Sequence, residues 1–196
     1  MNAKYGFDPG LRNAHVQLLR HVPAGARVLD IGCASGYLGQ EARKKGCRVW
    51  GIDVVKPPAR AVKGYERVWV GDVEKMALKG SYEAVLLADV LEHLREPERL
   101  LLRLKPRLTE NGFLLVSIPN VANWKVRLQL VRGRWRYTDT GILDRTHLRF
   151  YTHRTARTLL EDAGYRIVWE GHTGFRGRAR HRPGLLAFQF LFKAVR

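Results

Sequence analysis

Five short runs, "ARVLDIGC", "CRVWGIDVV", "ERVWVGDV", "YEAVLLADV" and "GFLLVSIPN", recur through the first 120 residues. Each has the length of a strand and is rich in Val, Leu and Ile, the pattern of a strand buried on both faces. Helical spacing fills two of the gaps, "SGYLGQEARKKG" and "EPERLLLRLKPRLTENG", and both stretches end at a glycine. "PPARAVKG" reads as a turn and "EKMALKG" as a short connector. Buried strands joined by helical crossovers imply one parallel sheet covered on both sides. "HRTARTLLEDAGY" then reads as a further helix stopped by Gly164. Two last strands, "YRIVWEG" and "GLLAFQFLFKAVR", flank a basic loop, "HTGFRGRARHRP". The expected fold is α/β: a single-domain, Rossmann-like, doubly wound sheet of seven strands. It is mostly parallel, with an antiparallel pairing at the C-terminal edge. Residues 1–24 read as an N-terminal helical cover. Residues 121–150 fit no core element and read as a lid or substrate insertion.

A chain of 196 residues with 45% hydrophobic content is long enough to bury a core. No run approaches the roughly 18 apolar residues of a membrane span. The N-terminus lacks a signal peptide's apolar centre, and Cys33 and Cys47 make no disulfide framework, so the expected location is cytoplasmic. The formal net charge of +17 suits a phosphate-bearing partner: RNA, a nucleotide sugar, a pyrophosphate-linked lipid or an anionic membrane. It also fits a solvated surface, because the arginines are spread along the whole chain.

Ligands of open α/β sheets bind beyond the carboxyl ends of the strands, which directs attention to the loop after Ile31. Gly32 and Gly36 let backbone approach a ligand, and Ser35 is positioned to cap the following helix. Free amides there would favour a negative group. A dinucleotide loop reads G-x-G-x-x-G, but Ala34 and Tyr37 occupy two of its three glycine positions. The pattern acid-x-Gly-x-Gly-x-Gly fits better, as Asp30, Gly32, Ala34 and Gly36.

Together with the element order, this loop resembles that of class I S-adenosylmethionine-dependent methyltransferases. The resemblance covers roughly residues 25–170. It implies S-adenosylmethionine as cofactor, with Asp30, Gly32, Ala34 and Gly36 in the binding loop. Asp53 of "GID", with Val54, stands where the family's acid holds the ribose hydroxyls. Asp72 of "GDVE" stands where an acid holds the adenine amino group, with Val73 beside the ring. Ala88 falls beside the methionine part.

The family's Asn/Asp-Pro-Pro-aromatic signature of nitrogen methylation is absent after the fourth strand, where this chain reads "ADVLEHL". If that run is helical from Asp89, then Asp89, Glu92 and His93 share one face. Such a set can ligate a divalent ion, and His147 in "DRTHLRFYT" offers a further imidazole. Ubiquinone-pathway O-methyltransferases carry a similar Glu-x-x-Glu-His run. Small-RNA 2′-O-methyltransferases add a later His followed at five residues by Thr, a spacing that His147 and Thr152 reproduce. Asp89 departs from the first Glu. Two readings stay open: a metal site of Asp89, Glu92, His93 and His147, or metal-free chemistry with His147, His93 and Asp89 as catalytic groups and His147 as the base.

The run 118–152 is similar to bacterial methyltransferases associated with glycan assembly. Its candidate substrate contacts are Asn120, Trp124, Arg127, Tyr137, Arg145 and Arg149, since aromatics interleaved with arginines can stack on rings and pair with phosphates. The alternative is a lid built on an amphipathic helix with its arginines on the wet face. The expected activity is O-methylation of a small-molecule or glycan hydroxyl. RNA 2′-O-methylation, or a non-catalytic cofactor-binding role on the same fold, are the alternatives.

Overall fold

A computed structural model describes residues 14–174 and 182–196. Most of the expected N-terminal cover and of the basic loop near the C-terminus lie outside the described residues. Seven strands form one sheet: β1 (Arg27–Ile31), β2 (Arg48–Asp53), β3 (Arg67–Val70), β4 (Tyr82–Ala88), β5 (Leu108–Pro119), β6 (Arg166–Thr173) and β7 (Gln189–Val195). Their spatial order is β3-β2-β1-β4-β5-β7-β6. The first five run parallel, and β7 is inserted antiparallel between β5 and β6. The strand order reverses between β1 and β4, which makes their carboxyl ends the place for a ligand.

Among the described residues six α-helices accompany the sheet: α1 (Ala14–Leu19), α2 (Tyr37–Lys44), α3 (Pro97–Leu104), α4 (Trp124–Val131), α5 (His153–Asp162) and α6 (Pro183–Leu186). Leu18 of α1 and Ala42 of α2 pack on one face with Val28, Val49 and Leu86. Leu100, Leu101 and Leu104 of α3 and Leu160 of α5 pack on the other with Leu29, Leu87 and Val116. Local chemistry sets the ends. Thr152 and Thr155 form a reciprocal cap at the start of α5, and Gly164, at φ +75°, ends it. Pro97 opens α3 at a position where its missing N–H costs nothing.

Three local expectations change. The helix expected to run on to Gly112 stops at Leu104. Pro106 allows only a 3₁₀ turn, Lys105–Arg107, and Gly112 lies inside β5. No helix connects β2 to β3 or β3 to β4. As a result Trp50 and Trp69 stay half-buried, beside a depression of about 250 Å³ that Arg27, Arg48 and Lys79 help to line. This depression borders the amino ends of the strands, far from the carboxyl-end loops. Third, the run after β4 is not a helix from Asp89. It is a 3₁₀ turn, Leu91–His93, entered through Asp89 in the left-handed region at φ +55°. No helix among the described residues is long and apolar enough to cross a membrane.

Candidate active site

The glycine loop is built largely for the chain's own packing. A Cβ on Gly36 would sit 1.8 Å from the carbonyl oxygen of Ala61, and one on Gly32 would sit 2.9 Å from Val90. Gly36, at φ +71°, is itself the N-cap of α2, so Ser35 does not make the expected cap. The amides expected to meet an anion are engaged inside the protein. Gly32 and Cys33 donate to the Ile52 carbonyl, Ala34 donates to Asp53, and Gly36 donates to the Cys33 carbonyl. A loop with these amides satisfied makes no phosphate cradle, which argues physically against a pyrophosphate-bearing dinucleotide.

Asp30 lies beneath this shelf, 1% exposed. Burial raises its pKa to about 7, against the hydrogen bond it accepts from the Tyr65 hydroxyl at 2.8 Å. Tyr65 comes from the β2–β3 connection, and its hydroxyl also reaches the Gly36 carbonyl. Its ring fills the space that Gly39 and Gly51 leave by lacking a Cβ. The thiol of Cys33 is buried and its pKa is pushed up to about 12, chiefly by desolvation, so it is no nucleophile.

Asp53 ends β2, where its carboxylate accepts from the Ala34 amide and the Val55 amide, each at 2.8 Å. Ala34 itself is held at φ +38°. Asp72 follows β3 and accepts from the Glu74 amide at 2.9 Å. Val54 is 72% exposed beside Asp53, whereas Val73 is 8% exposed and belongs to the core. Ala88 ends β4, half-buried.

Asp89 does not join Glu92 and His93 on one face, because the left-handed turn sends its side chain elsewhere. Its carboxylate accepts from the Ser117 hydroxyl at 2.7 Å and from the Gln189 side-chain amide at 2.8 Å. His15 of α1 stands 3.9 Å away. Asp89 is therefore removed from the metal-ligand set inferred from helical spacing.

Glu92, His93 and His147 do come together, with one potential ligand atom from each all within 4.8 Å of one another. The return leg of the insertion brings His147 in: the Leu148 and Arg149 amides both donate to the Glu92 backbone carbonyl, at 2.8 and 3.0 Å. The His93 and His147 rings stand edge to face, 4.8 Å between centroids. His93 Nδ1 lies 3.1 Å from the Thr146 carbonyl, and His147 Nδ1 lies 3.0 Å from that of Ile142. Each ring thus has its other nitrogen available. Glu92 is 1% exposed, and neither carboxylate oxygen has a hydrogen-bond partner. Burial first, and Asp89 second, push its pKa well above the usual carboxylate range. Burial lowers that of His147, with His93 adding to the effect. Thr152, whose spacing from His147 suggested an RNA-modifying site, is occupied in capping α5.

The substrate candidates divide. Asn120 is fully buried, and its amide donates to the Ala187 and Gly184 carbonyls while its oxygen accepts from Ala122. It braces the end of β5 against the segment before β7 and offers nothing to a substrate, contrary to the expectation. Trp124, Arg127 and Tyr137 are exposed on the insertion, Arg145 pairs with Asp139 at 2.9 Å, and Arg149 reaches the Arg95 carbonyl. Sequence reasoning missed Tyr65, Ser117, Gln189 and His15. Only Gln189, a polar residue between Phe188 and Phe190, left a trace in the pattern.

Residues 9–170 match the model of the family described as "Methyltransferase domain". The chain belongs to this family. Among curated proteins it is similar to the ubiquinone biosynthesis O-methyltransferase of Xanthomonas axonopodis pv. citri, 32% identical over 107 residues, covering 50% of this chain and 45% of that one. The Chromobacterium violaceum protein of the same name is 29% identical over 120 residues, covering 56% and 51%. The chain thus spans about half the length of the curated relatives it matches. Among solved structures, an S-adenosylmethionine-dependent methyltransferase from Mesorhizobium loti superposes with TM-score 0.67 at 16% identity, covering 94% of this chain and 98% of that one. The 1,6-didemethyltoxoflavin-N1-methyltransferase of Burkholderia thailandensis superposes with TM-score 0.66 at 20% identity, covering 92% and 75%. At such identities the likeness is one of fold. It comprises the seven-stranded, mostly parallel sheet with antiparallel C-terminal strands that the sequence led us to expect.

Proposed function

We propose that this methyltransferase domain moves the methyl group of S-adenosylmethionine to a hydroxyl oxygen of a small molecule, with glycans included in that class. The donor lies over the glycine shelf, its ribose on Asp53 and its adenine toward Asp72. The acceptor oxygen attacks the methyl carbon in line as the carbon–sulfur bond breaks. Sulfur keeps the electron pair, and S-adenosylhomocysteine leaves. Alignment supplies much of such a rate, because the sulfonium is already activated. The hydroxyl proton needs an acceptor, and the single observation that carries the oxygen reading is the Glu92–His93–His147 cluster beside the end of β4. His147, kept neutral by burial, takes that proton through the ring nitrogen opposite its bond to Ile142. The names of the curated relatives support oxygen as the acceptor atom.

A divalent cation is a second reading, favoured by the orphaned Glu92 oxygens. One carboxylate and two imidazoles, each ring fixed by a backbone carbonyl, fit such an ion. Glu92, His93 and His147 would hold it, and when bound it would lower the pKa of the acceptor hydroxyl.

The test is methyl transfer from labelled cofactor to a panel of catechols, phenols and sugars, with the product site read by mass spectrometry. Methyl on oxygen, lost in His147→Ala with cofactor affinity kept, supports the reading. Methyl on nitrogen alone would refute it. Calorimetric titration with manganese separates the two versions: uptake that vanishes in Glu92→Gln requires the ion, and no uptake leaves His147 as the base.

A further inference from the structure

The insertion begins with α4, which touches the protein through little more than Val126. Every residue from Arg127 to Thr140 is exposed. On a helix, residues at i, i+4 and i+7 share a face. Trp124, Leu128 and Val131 stand at that spacing, and they are 36%, 40% and 85% exposed. Arg127 flanks this stripe on one side, and Lys125 and Arg132 flank it on the other. The arginines expected on the wet face are exposed, and the apolar residues between them are exposed as well. The apolar stripe faces out.

A scattered exposed leucine needs no explanation, but a continuous stripe edged by cations does. Between Val121 and Thr138 the chain carries five cations and no acid. Trp135 and Tyr137 follow α4, exposed and packed edge to face. Exposed Leu128, Leu130 and Val131 among cations, with indole and phenol rings beside them, give the segment the makings of a bilayer-interface contact. Single-stranded RNA would use the rings and arginines but would gain nothing from Leu128 and Val131.

We propose that α4 and the following loop dock on an anionic bilayer surface, with Trp124, Leu128 and Val131 entering the headgroup boundary. The same insertion carries His147 on its return leg, so docking would set the acceptor mouth beside the membrane. The surface stands without the oxygen-methylation reading, and its test makes no use of activity.

The experiment is co-sedimentation of the full chain with vesicles of phosphatidylcholine, alone or with a third phosphatidylglycerol, with tryptophan emission recorded. Binding is expected on the anionic vesicles, with a blue shift. Leu128→Gln with Val131→Gln keeps the charge and should lower partition at least tenfold while the melting temperature holds. Arg132→Gln should lower it about fivefold. No binding to anionic vesicles at low salt would overturn the proposal, as would binding indifferent to the Leu128/Val131 pair. A short single-stranded RNA is the control: tighter binding to RNA than to vesicles, unchanged in that double variant, would make this a nucleic-acid surface and sink the bilayer.

Discussion

Two fully buried acids, Asp30 under the glycine shelf and Glu92 beside the end of β4, meet opposite treatment. Asp30 receives a phenol from Tyr65, a residue 35 positions away whose ring is seated by two glycines. Glu92 receives nothing, although burying an unpaired carboxyl costs several kcal/mol unless it stays protonated. A fold that can bring a partner to the first acid has left the second one bare. The difference separates an acid that supports a surface from one that the proposed function gives something to meet.

Five measurements would break or sharpen this contrast. The largest effect belongs to Glu92→Gln, which, if Glu92 helps to hold a divalent ion, should lower the methyl-transfer rate a hundredfold or more while raising the melting temperature, since the buried acid is gone. A variant as active as the parent, or a less stable one, would place Glu92 with Asp30 among structural acids. Asp53→Ala comes next. Losing its bond to the Ala34 amide and the proposed bonds to the ribose should weaken S-adenosylmethionine binding about 10- to 100-fold by calorimetry. Unchanged affinity would refute the ribose assignment. Asn120→Ala should cost about 1–3 kcal/mol in denaturant unfolding and leave the KM for the acceptor alone, because its amide serves backbone carbonyls. Tyr65→Phe should cost about 1–2 kcal/mol and loosen cofactor binding a few-fold, where an equal change at Glu92 finds no partner to lose.

The last measurement concerns pH dependence. The folded-state pKa of Asp30, about 7, lies above its ordinary value. Between about pH 4 and pH 7 the unfolded chain therefore holds fewer protons than the folded one, so this residue makes stability fall as pH rises. Asp30→Asn should flatten that part of the curve, as followed by urea unfolding across the range. An unaltered slope would mean that Asp30 is ionised in the folded protein and that the phenol suffices to hold it so.

The sheet was legible because strands buried on both faces show themselves as dense apolar runs, and because glycines mark where helices stop. The glycine shelf was legible as a turn at the end of β1, through Asp30, Gly32, Gly36 and Asp53, but the packing work done by each residue was not. What Gly36 makes room for is the Ala61 carbonyl, and a close approach between segments 25 residues apart leaves no local trace. Beyond β4, Glu92, His93 and His147 were legible as a candidate group, and they do cluster. Asp89 was misplaced because helical spacing was assumed where the backbone turns left-handed, a conformation that Asp tolerates without advertising it. Tyr65 could not be found at all: a lone tyrosine in a connection looks like any other until the glycines around its ring are seen together.

That ring has an evolutionary corollary. Positions 39 and 65 occupy one volume, so neither can drift alone, whereas Gly36 faces the backbone carbonyl of residue 61, which no substitution at 61 removes. Among related chains that pair should change together: wherever the aromatic at 65 is replaced by something small, alanine should become permissible at 39, while at 51 the Cys33 sulfur, 3.0 Å from a Cβ there, would also have to give way. Shelves rebuilt by mutagenesis would then need both partners exchanged in the same step.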